Sequence, residues 1–119
     1  MGPQEPSTDA SNPIHPLRLP PSALLAFDLL TRRWVPHVLY LLCQRPARFS
    51  ELAQAIPGMS RRILMDRLRQ LDDEGLVRRL VDPGPPTRIT YQVTDLGADL
   101  RTALEYARLW GEQHVAARP

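Results

Sequence analysis

The sequence predicts a mainly helical α+β domain in which short, capped helices are followed by one β-hairpin and a closing helix. Three observations carry this expectation. Apolar residues recur at helical spacing in 50–56 and again in 60–74, and Pro57-Gly58-Met59 breaks the chain between them. The period then shortens to that of a strand in Leu76–Val81 and Arg88–Val93, on either side of the proline-rich stretch Asp82–Thr87. Helical spacing returns at Thr94-Asp95 and holds to about Ala117.

Each element has a local reason. Residues 1–20 are dominated by proline, serine, asparagine and aspartate, and are expected to form a flexible arm ahead of one domain over 21–119. The first helix is expected over about 22–31, with Pro20-Pro21 before it and Ser22 as its cap. The second runs Trp34–Cys43. Pro36 is tolerated there because a first-turn N–H has no helical partner to lose. Val35, Val38, Leu39 and Leu42 form one stripe for a core. Ser50 is expected to cap the third helix, with Glu51 set against the exposed N–H groups of its first turn. Ser60 is expected to cap the fourth, which Gly75 ends. Two such helices joined by a glycine-bearing turn make a helix-turn-helix, and the hairpin with its extended tip makes a wing. The last helix is expected as one element over about 95–117, with Leu96, Leu100, Ala103, Leu104, Ala107 and Trp110 on its apolar side.

Bulk properties set limits. A chain of 119 residues suits a single domain, and 43% hydrophobic residues can fill one modest core. Net charge +2 and a pI near 9.2 are mildly basic, so the placement of the charge matters more than its sum. Every basic side chain is arginine, the better fork-shaped partner for phosphate and guanine, although codon bias produces the same skew. One cysteine cannot make an internal disulfide, no apolar run has membrane-spanning length, and no signal-peptide pattern opens the chain. The cytoplasm is the expected compartment.

The fourth helix carries the chemistry. With residues about 100° apart, Leu64, Leu68 and Leu71 share a narrow sector that must face a core. Arg62, Asp66, Arg69 and Asp73 lie opposite, with Met65 at the edge and Arg61 flanking the core. The solvent side is arginine-rich at its start and acidic at its end. That polarity suits a helix whose first turns enter the major groove of DNA. On this reading Ser60 and the free first-turn N–H groups hold a phosphate. Arg61 and Arg62 make fork contacts to phosphate or guanine, Met65 packs on a thymine methyl, and Arg69 reaches the backbone. Asp66 either accepts from a cytosine amino group or orients Arg62 or Arg69, and orientation is preferred. Arg48 and Ser50 before this helix, and Thr87 and Arg88 at the hairpin, complete the expected contact set. A merely solvated face is the ordinary reading of such a helix in isolation; the order of parts around it argues for DNA.

Those parts also carry a resemblance. Arg48-Phe-Ser-Glu-Leu52, Ile56-Pro-Gly-Met-Ser-Arg-Arg-Ile-Leu64, Arg67-Leu-Arg-Gln-Leu71, Asp73-Glu-Gly-Leu-Val77, Pro86-Thr-Arg-Ile-Thr-Tyr91, Val93-Thr-Asp-Leu-Gly97 and Trp110-Gly-Glu-Gln-His114 occur in one order and spacing. Trp34–His114, about two thirds of the chain, thereby resembles the HxlR family of bacterial winged-helix regulators. The resemblance implies a homodimer whose first and last helices pack across a two-fold axis, with Leu25, Phe27, Leu29, Leu100, Leu104, Ala107 and Trp110 at the contact. It also implies sequence-specific binding to a near-palindromic operator, with transcription regulation as the outcome.

Departures from the family pattern are informative. Met65 stands where a small polar residue is frequent and Asp66 where an amide is common, so a different base preference is expected. Thr31-Arg32-Arg33 replaces a glycine-rich approach to Trp34 and is expected to add phosphate contacts. Several relatives use a cysteine just before the first helix as a switch for quinones, aldehydes or oxidants. Leu19–Ala23 has none. Cys43 ends an apolar helix and is expected to be a buried structural thiol.

Nothing else in the sequence has chemical spacing. His15, His37 and His114 are far apart, so no metal and no cofactor is expected. There is no nucleophile–base pattern or phosphate loop, so an enzyme is not expected. The expected partners are double-stranded DNA and a second copy of the chain, with no membrane. A small-molecule effector is left open. The alternative function is a winged-helix protein-interaction module whose basic face is incidental.

Overall fold

The computed structural model describes residues 15–115; the expected arm up to residue 14, and the last helix beyond 115, lie outside the described residues. The order is α1 (Pro21–Leu30), α2 (Val35–Gln44), α3 (Phe49–Ala55), α4 (Arg61–Asp73), β1 (Val77–Asp82), β2 (Arg88–Val93), α5 (Asp95–Ala98) and α6 (Arg101–His114). This is the mainly helical winged helix-turn-helix that the pattern predicts.

The apolar stripes meet in one core. Val35, Val38, Leu39 and Leu42 of α2 and Leu64, Leu68 and Leu71 of α4 are all fully or almost fully buried. Leu52, Ile56, Leu76, Val77, Tyr91 and Leu104 close the same cluster. Aliphatic side chains supply nearly all of it. The hairpin pairs antiparallel from Val77↔Val93 to Asp82↔Arg88. A bridge that the sequence does not signal attaches it to the helices: Ala47 N donates to Tyr91 O at 3.0 Å, and Tyr91 N to Ala47 O at 2.8 Å.

The helix ends explain the turns. Ser60 accepts from Ile63 N at 3.1 Å, the expected cap of α4. At the other end Gly75 takes a φ of 78°. Leu76 N then reaches back to Leu71 O at 2.9 Å, and Gly75 N to Asp72 O at 3.0 Å. Only glycine adopts this left-handed turn without strain.

Three helix expectations need correction. The cap position of α1 is Pro20, and Ser22 lies inside the first turn, because Pro21 already opens the helix. The cap position of α3 is Arg48, and Ser50 sits inside the first turn. The reason is Glu51, whose Oε1 accepts from Arg48 N at 2.9 Å and so starts the helix two residues early. The closing helix is two elements rather than one, interrupted at Asp99 and Leu100. Thr94 Oγ1 accepts from Gly97 N at 3.2 Å and donates to Gly75 O at 2.6 Å, capping α5 and tying it to the end of α4. A Cβ on Gly97 would stand 2.2 Å from Leu76 O, so the approach of α5 to this turn requires glycine.

Candidate nucleic-acid interface

The core stripe of α4 leaves its opposite face open. Arg61, Arg62 and Arg69 are exposed, while Met65 and Asp66 are half-buried. Arg61 places its guanidinium 4.8 Å from the centroid of the Phe49 ring, which fixes the start of α4 against the start of α3. With Ser60 occupied by Ile63 N, the N–H groups of Arg61 and Arg62 remain for an outside acceptor. Asp66 makes no ion pair with Arg62 or Arg69 among the described residues, so the orienting role is not built into the fold.

The arginines divide into two sets. Arg32 pairs with Glu74, Arg45 with Glu51, and Arg108 with Glu105 and Glu112. Arg67 donates to Arg33 O at 2.7 Å, and Arg101 to Cys43 O at 2.9 Å. Among the described residues, the side chains of Arg48, Arg62, Arg69, Arg78, Arg79 and Arg88 make no hydrogen bond or salt bridge. They lie on α4, at the start of α3 and on the hairpin. The two sets interleave on α4, where Arg67 is bonded and Arg62 and Arg69 are not, while Arg33 and Arg61 lie over the rings of Trp34 and Phe49.

Register decides which hairpin arginine meets α4. Arg79 stands opposite the buried Tyr91, on the inner face of the sheet, whereas Arg78 pairs with Gln92 on the outer face. A cleft of about 440 Å³ follows, lined by Arg69, Arg79 and Asp72 together with Phe49, Met65, Ile89 and Tyr91. Arg79 was not singled out in the sequence. Its signal lies in the pairing register, which the sequence pattern alone leaves open. Thr87 and Arg88 occupy the wing: Thr87 Oγ1 donates to Pro83 O at 3.0 Å, and Arg88 stands across from Asp82.

The Glu51 carboxyl is the one perturbed acid on this side. The hydrogen bond from Arg45, helped by the Arg48 N–H, lowers its pKa from 4.5 to about 2. It is charged at neutral pH and holds the Arg48 backbone N–H, while the Arg48 side chain is exposed.

The residues expected at a dimer contact are distributed unevenly. Leu25 and Phe27 on α1 are 72% and 57% exposed, and Trp110 on α6 is 60% exposed. Ala107 is exposed, while Leu29 and Leu100 are half-buried against the core. Leu104 is 8% exposed and fills the protomer's own core, so it offers a second copy no open surface. Leu24 and Tyr106, not expected, add to the apolar surface. Cys43 is a free, half-buried thiol rather than a fully buried one.

The family model of HxlR-like helix-turn-helix proteins matches residues 29–119. The chain belongs to this family. Among its HxlR-like relatives, the uncharacterised HTH-type transcriptional regulator YvaP of Bacillus subtilis is 39% identical over 90 residues, covering 76% of this chain and 83% of YvaP. The regulator YodB of the same species is 33% identical over 88 residues, covering 74% and 79%. The reduced form of YodB superimposes with a TM-score of 0.73 at 29% identity, over 86% of this chain and all of that one. The oxidised form of the redox regulator HypR gives 0.74 at 26% identity, over 78% and 96%. This HxlR-like chain is accordingly a helix-turn-helix transcriptional regulator with a DNA-binding winged-helix fold. No helix among its described residues is long and apolar enough to cross a membrane.

Proposed function

We propose that this regulator binds, as a homodimer, a near-palindromic operator whose half-sites each receive one copy of α4. The uncommitted arginines carry the reading: Arg62 and Arg69 on the exposed side of α4, Arg48 at the start of α3, and Arg79 and Arg88 on the hairpin are without an internal hydrogen bond or ion pair among the described residues. Leaving several guanidinium groups unpaired side by side is unfavourable unless a polyanion completes them.

The roles follow from position. Ser60 and the first-turn N–H groups take a phosphate, and Arg62 is placed to read a guanine edge. Arg61, held over Phe49, contacts phosphate from a fixed position. Met65 meets a thymine methyl, and Asp66, without an arginine partner, is available to a cytosine amino group. Arg48, Ser50, Arg69 and Arg79 position the backbone, and Thr87 and Arg88 approach the flanking groove. Support for a second copy comes from α1, which buries none of its residues in the protomer and displays Leu24, Leu25 and Phe27. The domain over 21–119 is taken as the unit that acts.

A footprint tests it. Nuclease protection across the region upstream of the gene is expected to show two half-sites about one helical turn apart. Protection of a single unpaired site, or none at any protein concentration, sinks the operator and favours the protein-interaction module.

A further inference from the structure

We infer that Arg32, Arg67 and Glu74 are positioning residues that fix the spacing between the two half-sites the dimer accepts. This rests on the operator reading above and adds how the geometry is transmitted. The side of α4 turned away from the proposed DNA face is attached at two points to the segment that leads out of α1. Near its middle, Arg67 Nε donates to Arg33 O at 2.7 Å. At its C-terminal end, Glu74 accepts both forks of Arg32, at 3.1 and 2.8 Å. Arg67 and Glu74 lie about two turns apart on one helix face, roughly 10 Å along the axis. One attachment would leave a pivot. Two attachments define a line, so, together with the core packing of Leu64, Leu68 and Leu71, they tie the axis of α4 to the segment.

The segment is itself stiff. Trp34 holds a φ of 73°, unusual for a side chain of that size, with the Arg33 guanidinium 4.6 Å from its ring centroid. Val35 N donates to Arg32 O at 3.1 Å, and Thr31 Oγ1 to Phe27 O at 2.6 Å, which joins the segment to the last turn of α1. α1 buries no residue fully and meets the core only through the half-buried Leu29 and Leu30 of its last turn, where it joins this segment. On this proposal, displacement of one α1 against its partner is passed to α4 through the segment. Of the arginines expected from the sequence to add phosphate contacts, Arg32 is paired with Glu74 in this strut, while the exposed Arg33 lies over the Trp34 ring.

The test uses the full chain and duplexes carrying the footprinted half-sites at native spacing, or with one base pair added, which turns one half-site by about 35°. Wild type is expected to bind the longer duplex about tenfold more weakly. The Arg67→Met/Glu74→Gln double variant is expected to sediment as the same oligomer and keep its salt slope, while the spacing ratio falls to about threefold or less. Arg32→Glu alone breaks the pair and is expected to lower the ratio likewise, and adding Glu74→Arg, an exchange that remakes the pair, is expected to restore discrimination; these two variants carry the test should the double variant fail to fold. A spacing ratio unchanged in the double variant, or not restored by the exchange, overturns the strut while leaving the operator reading intact. A salt slope shallower by about one in Arg67→Met also overturns it, since Arg67 would then touch phosphate. If wild type binds no duplex with two half-sites, the operator reading itself has failed.

Discussion

At the scale of single residues, chemistry separates arginines of identical type. Arg62 and Arg67 are both on α4, yet one is uncommitted and the other is bonded to a backbone carbonyl. Arg62→Ala is expected to weaken operator binding by about 1–3 kcal/mol, selectively at one base position, when affinities for singly substituted operators are compared. An equal loss on every sequence would make it a phosphate contact. Glu51 gives a pH signature. Its folded pKa of about 2 lies below the ordinary 4.5, so its contribution to stability is complete above 4.5 and is lost as pH falls toward 2. Thermal unfolding of wild type and Glu51→Gln is expected to differ at neutral pH and converge as pH drops through that window. A constant difference across the window would assign the effect to something other than ionisation. The residues legible in advance were those whose role is periodic or local, such as Leu64, Leu68, Leu71 and the Ser60 cap. Arg79 was not, because its facing depends on a strand partner far along the chain.

At the scale of elements, the short-range pattern located the first four helices and both strands but misplaced some ends and merged α5 with α6. The cap of α3 was read from Ser50, the commonest cap residue, whereas the Arg48 N–H and Glu51 carboxylate set the start. The break between α5 and α6 was invisible because Leu96, Leu100 and Leu104 keep helical spacing straight through it. What interrupts the helix is tertiary: Thr94 bonds the turn after α4, and Gly97 lies on the Leu76 carbonyl. Gly97→Ala is therefore expected to destabilise by about 1–3 kcal/mol or more, seen as a lower denaturant midpoint at unchanged slope. A neutral result would mean that the α5 turn yields freely.

At the scale of the whole molecule, one side is apolar and unfilled, and another is basic and unpaired. The apolar side is α1, with part of α6. Phe27→Asp together with Trp110→Asp is expected to give a monomer by analytical ultracentrifugation that keeps its helical content, since neither residue is in the core. A persistent dimer would place the contact elsewhere. The resemblance to HxlR-type regulators was legible because its motifs are the caps, turns and core positions of the fold itself. The strut from α1 to α4 was not, because it joins residues about forty positions apart whose pairing leaves no local pattern.

The basic side is tested most directly by operator affinity as a function of salt, for wild type and for Arg69→Gln and Arg79→Gln. A dimer neutralising about 6–10 phosphates loses roughly 10³–10⁵ in affinity between 50 and 200 mM salt, and each variant is expected to flatten the logarithmic slope by about one for every phosphate contact it removes. Binding that ignores salt, or slopes identical in all three proteins, would contradict a phosphate-contacting face built from α4 and the wing.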